Sequence, residues 1–252
     1  MSSSALLNSD LGKLILMNFD EVTANSFQYL IEGSAAIRSR LEKSGGQVRY
    51  TAYGYHGTEI LIDGRYQWQT YTSYTQGKAK MRLERIAEDA WKQGIKATCY
   101  NCPEIRTNSS DIFVGVELSL FPLLKALKQE GGGVWAESQW QACRDVLQLD
   151  QTLEGLLQTI DDYNDSSVMA GFRNFEAWPM PNSPELADVM IGTSDNITKM
   201  HKSRDALVTD VLSALVLEGT GPLMFHETSN PAGPVLWLNH DVIAKQLNLT
   251  HG

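Results

Sequence analysis

The chain has 252 residues, 42% hydrophobic and 20% charged, with a formal net charge of −9. That composition supports a full hydrophobic core and excludes global disorder, and the acidic balance excludes a general duplex-DNA clamp. Three cysteines cannot build a disulfide framework.

The pattern of apolar residues predicts the following elements in chain order. Residues 13–17 form a short apolar run suited to a buried strand, and 24–43 a helix closed by Gly45-Gly46. Residues 48–55, 59–63 and 66–74 are strand-like, with glycines at 54, 57 and 64 as turn signals. Residues 78–93 form a helix with Leu83, Ile86, Ala87, Ala90 and Trp91 on one face, ended by Gly94, and 95–100 a strand. Residues 118–128 read as a helix, 134–137 as a strand, and 139–149 and 153–160 as helices. Short strands are expected at 168–172 and 189–191, a helix at 204–217, strands at 222–226 and 235–238, and a last helix at 241–247. Strands alternating with helices at both ends predict an α/β protein with a parallel sheet. No segment reads as a secretory signal or a membrane span, so a cytoplasmic location without membrane contact is expected.

Charge is unevenly distributed: residues 145–196 carry ten acidic side chains and one basic, whereas 65–96 carry seven basic and three acidic. Six of the nine tyrosines lie between Tyr50 and Tyr74. Tyr66, Trp68 and Tyr74, followed by Lys78, Arg82 and Arg85 on one helical side, make an aromatic and basic surface. Such a surface serves single-stranded nucleic acid, a protein partner, or simply the packing of a sheet with a solvated helix beside it. Cys99-x-x-Cys102 lacks a second ligand pair nearby and reads as structural. Asp161-Asp162 belongs to an acidic loop.

The stretch LILMNFDEVTANSF (14–27) combines an apolar run with Asn18, Asp20 and Asn25-Ser26. It resembles the first motif of the haloacid dehalogenase superfamily. Residues 120–138, ending at Ser138, are similar to that family's second motif, and 188–196, with Thr193 and Asp195, to its fourth. The resemblance implies a Rossmann-like parallel sheet formed by residues 1–24 and 111–252, with an α+β cap inserted at 25–110. It places Asn18, Asp20, Ser138 and Asp195 at the catalytic positions, with Asp20 and Asp195 as weak metal ligands. Asn18 stands where the family has its nucleophilic Asp, Thr193 where it has an Asp, and no Lys stands at 167–174, so a degenerate site is expected. The implied function is a pseudoenzyme that acts by binding a protein partner or a small phosphorylated ligand and needs no cofactor. The alternatives are an active Mg²⁺-dependent phosphohydrolase and a single-strand nucleic-acid binder.

Overall fold

The computed structural model describes residues 3–54, 60–62, 65–67, 75–107, 114–173, 181 and 183–252. Helices dominate around a small parallel sheet. The N-terminal part is helical throughout: α1 (Ser4–Asn8), α2 (Asp10–Phe19), a π-helical turn (Asp20–Asn25), α3 (Ser26–Gly33) and α4 (Ala35–Lys43). The apolar run at 13–17 therefore lies in a helix and not in a strand. Ser9 caps α2 by accepting from the Gly12 N–H at 3.0 Å, and Leu11, Leu14 and Met17 are exposed at helical spacing. A short apolar run carries no period of its own, so the cap decides it.

β1 (Arg49–Gly54), α5 (Thr75–Lys92) and β4 (Lys96–Asn101) form a β-α-β unit, in which β1 and β4 pair in parallel from Arg49↔Lys96 to Gly54↔Asn101. A two-stranded hairpin, β2 (Ile60–Ile62) and β3 (Arg65–Gln67), lies between β1 and α5. β5 (Val235–Trp237) joins the other edge of β4 in parallel, giving the order β1-β4-β5. α5 buries Ala79, Leu83, Ala87 and Ala90, the last three in one cluster with Tyr50, Ala52, Ala97, Cys99, Phe27 and Ile31. Gly94, at φ 79°, ends the helix in a backbone region that glycine enters at little cost. The Trp91 indole N–H then donates to the Ala97 carbonyl at 2.6 Å, tying helix to strand.

The second core is helical. A 3₁₀ turn (Val116–Leu120), α6 (Pro122–Gln129), α7 (Val134–Asp145), α8 (Leu153–Asp165), α9 (Ser167–Arg173), α10 (Pro184–Lys199), α11 (Val208–Ser229) and α12 (His240–His251) complete the chain. Leu123, Leu124, Trp140, Leu156, Leu212 and Ile243 meet in its interior. Gly219 of α11 lets α12 approach: a Cβ there would stand 2.7 Å from Ile243 Cγ2.

The coarse α/β expectation holds, but the sheet is small. The strands expected at 134–137, 168–172, 189–191 and 222–226 lie in α7, α9, α10 and α11. Asp161 and Asp162 lie in α8 and not in a loop. Asp161 accepts from the Lys125 ammonium through both carboxylate oxygens, at 2.6 and 2.8 Å. α11 is long and apolar enough to span a bilayer by length and composition. Leu212, Leu215 and Val216 nevertheless bury within the helical core, and Pro222 interrupts its hydrogen-bond ladder.

Candidate functional site

In an open parallel sheet, the crevice forms beyond the carboxyl ends of the strands. Here β1 delivers Tyr53 to that edge, and β4 delivers Asn101, Cys102 and Glu104. Helix α5 begins on the same side, because it carries the chain from the end of β1 back to the start of β4. Its early turns bring Gln76, Lys78, Lys80 and Glu84.

Lys80 is 8% exposed. Burial lowers its ammonium to about 8, and the Cys99 and Cys102 thiols oppose that shift. With Tyr53 and Gln76, and with Thr23 and Ser26 from the N-terminal helices, it lines a cleft of about 390 Å³. The Cys102 thiol is pushed up to about 11 by burial, against a hydrogen bond with Tyr53 and the charge of Lys80. Burial raises the Cys99 thiol further. Both thiols stay protonated at neutral pH and are not nucleophiles. Asn101 donates from Nδ2 to Glu84 at 2.6 Å, while its Oδ1 is buried without a partner among the described residues. Burial pushes the Glu104 carboxyl up to about 8, opposed by the Ile105 backbone N–H and reinforced by Glu117. The strand ends thus gather an amine and a carboxyl that both titrate close to neutrality, a pattern typical of functional sites.

A second cavity, of about 480 Å³, lies past the end of β4, bounded by Arg106, Glu117, Ser194, Asp195, Arg204 and Thr209 among others.

Asn18 is exposed on α2, and Asp20 opens the π-helical turn, 3.8 Å from Arg82 Nη1. Ser138 is exposed on α7 and donates to the Trp135 carbonyl at 2.6 Å. Asp195, on α10, lines the second cavity. The four thus lie on helices or helical turns, none at the end of a parallel strand. Among the described residues no three His, Cys, Asp or Glu side chains come together as metal ligands. Of the aromatic and basic group, Tyr66 lies in β3, Trp68 and Tyr74 fall outside the described residues, Lys78 is half-buried, and Arg82 and Arg85 are exposed on α5. Lys80 is not among the residues that the sequence singles out. Its signal was the spacing Lys80, Leu83, Ala87, Ala90, which puts the lysine on the apolar stripe of α5.

The family model for enoyl-acyl carrier protein reductase FabMG matches residues 1–247. An apo structure of FabMG, a novel type of enoyl-acyl carrier protein reductase, is 88% identical with a TM-score of 0.95, covering 100% of this chain and 57% of its own. An NADH-bound FabMG structure is 80% identical with a TM-score of 0.84, covering 100% of this chain and 61% of its own. The chain therefore spans about three-fifths of the length of these neighbours. No curated protein matches.

These matches overturn the haloacid dehalogenase resemblance and, with it, the pseudoenzyme reading and both alternatives, phosphohydrolase and single-strand binder. The reason is physical as well: the strand on which that resemblance rested is helix α2. The expectation that no cofactor is needed, with Mg²⁺ as the one exception, is overturned by the NADH-bound relative. Across 247 of its residues, the chain belongs to the enoyl-acyl carrier protein reductase FabMG family.

Proposed function

We propose that the protein works as an NADH-dependent enoyl-acyl carrier protein reductase in the cytoplasm, with an acyl carrier protein as its partner. The observation that carries this reading is the family match over nearly the whole chain. The parallel β1-α5-β4 unit, with its ionisable carboxyl edge, supports it.

NADH is the electron donor on this reading, because the 80% identical neighbour binds it. The described residues supply polar strand ends but no pyrophosphate cradle. Such a cradle needs a glycine-rich turn that follows a strand and opens a helix. Gly131-Gly132-Gly133-Val134-Trp135-Ala136 has suitable glycine spacing, yet it joins α6 to α7 and follows no strand. This chain's described residues therefore serve the acyl substrate and its proton.

Reducing a double bond conjugated to a thioester places negative charge on the thioester oxygen and requires a proton at the α-carbon. Donors fixed near that oxygen lower the barrier. Lys78 follows Tyr74 by four residues, and α5 starts at Thr75. A phenol and an ammonium four residues apart in the sequence are candidate donors for that oxygen and that carbon. Lys80, titrating at about 8, holds a proton that it can exchange near neutral pH.

The test is the loss of NADH absorbance with a short enoyl-coenzyme A thioester. The wild-type protein turns over, and Lys78→Met and Tyr74→Phe each lower kcat by about 10²–10⁴-fold, the range of a lost general acid. Full activity in both variants would rule out the assignment of Lys78 and Tyr74.

A further inference from the structure

The cavity of about 480 Å³ has walls that the protein has already fixed. Arg106, five residues past the end of β4, donates from Nη1 to Asp210 at 2.7 Å and from its backbone N–H to Ser213 Oγ at 2.8 Å. Those bonds hold the turn against α11. Opposite, the Ser194 hydroxyl donates to Glu117, which also accepts from the Gly115 N–H at 2.8 Å. The groups facing the cavity are thus held in place before any ligand arrives.

One lining group is left over. Thr209 is 2% exposed, and its Oγ1 is buried without a hydrogen-bond partner among the described residues. Hydroxyls further along α11 return their proton to the carbonyl four residues back, as Ser213 does at 2.6 Å and Thr220 at 2.7 Å. Thr209 is the second residue of the helix, so the carbonyl four residues before it, that of Asp205, lies outside α11. A buried hydroxyl without a partner on a cavity wall marks a place for a ligand's polar atom.

The charges narrow the ligand. Glu117, Asp195 and Asp205 repel a polyanion such as a free nucleotide. A bare aliphatic chain would leave the Thr209 hydroxyl unmet. An elongated, mostly neutral molecule with amide donors and acceptors along its length and one anionic end suits these walls. The carboxylates accept, the hydroxyls bridge, and the exposed Arg204 guanidinium at the rim takes the anion.

We infer that this cavity holds the phosphopantetheine arm of the acyl thioester, with Thr209 bonding an amide and Arg204 the phosphate. The inference rests on the reductase reading for the identity of its ligand. Arg106 lies five residues past the carboxyl end of β4, on the segment that leaves the strand ends.

Calorimetric titration with 4′-phosphopantetheine tests this, with reduction of crotonyl-coenzyme A by the wild-type protein measured alongside. Binding is expected in the wild type. It should weaken about fivefold in Thr209→Val, one net hydrogen bond, and about tenfold in Arg204→Ala, a charge-assisted contact. Arg204 is exposed, so its variant reports even where Thr209→Val fails to fold. Unchanged affinity in Arg204→Ala, or no binding by a wild-type protein that reduces crotonyl-coenzyme A, overturns the inference and leaves the reductase reading standing. Binding with these losses but without any reduction supports the arm site while the reductase reading falls.

Discussion

Replacing Lys80 by Met removes a charge that the fold holds at a cost. The side chain is 8% exposed, and burial lowers its ammonium from the ordinary 10.5 to about 8. The unfolded chain keeps this proton up to its ordinary pKa, the folded chain only up to about 8. Between the two the unfolded state binds more protons, so this group makes stability rise with pH. The penalty is complete below about 8 and gone above 10.5. That gap corresponds to about 3 kcal/mol. Lys80→Met, of similar length and apolar, is therefore expected to stabilise the protein at pH 7 by up to about 3 kcal/mol. The advantage should shrink to nothing near pH 10.5. Other groups titrate in the same range, because the raised Cys99 and Cys102 thiols contribute stability that is lost as pH rises. The difference between variant and wild type isolates Lys80 from them. Urea unfolding of both proteins across this range, with equal slopes, gives the difference directly. A variant less stable than wild type at pH 7, or a difference that does not change with pH, would refute a buried, depressed lysine.

Two further predictions concern the helical core and its acid limit. His240 is fully buried, and burial lowers its pKa to about 4, so the fold favours the neutral ring. Its contribution is present above pH 6.5 and is lost as pH falls toward about 4. His240→Leu should accordingly flatten the acid side of a stability–pH curve, and an unchanged acid limb would contradict this. Leu124 is fully buried among Trp140 and its neighbours. Leu124→Ala is expected to cost about 2–5 kcal/mol in urea unfolding, and a cost below about 1 kcal/mol would mean that the α6–α7 contact is not part of the core.

What could be read in the sequence followed the physics of each segment. β1, α5, β4, β5 and α12 were legible because a clear period or an alternating run ends at a turn signal, as α5 does at Gly94. The runs at 13–17 and 189–191 were misread because a short apolar stretch has no period to distinguish strand from helix. Their identity rests on caps: Ser9 for α2, and for α10 Ser183, which accepts from the Leu186 N–H at 3.1 Å ahead of Pro184. The misread strand at 13–17 then supplied a false motif with Asn18 and Asp20. The strand-end site was half legible. Lys78, Arg82 and Arg85 were visible as a basic side of α5, but the burial of Lys80 depends on how α5 seats against β1 and β4. The partnerless Thr209 hydroxyl depends on where α11 begins, and Leu207 at its start is no recognisable capping residue.

The measurement that bears most directly on the functional account is NADH consumption with an enoyl thioester presented on acyl carrier protein. The account predicts enoyl-dependent oxidation of NADH with the saturated acyl thioester as product, greatly slowed in Lys78→Met. No oxidation above the substrate-free rate, under conditions where the protein is folded, would contradict it.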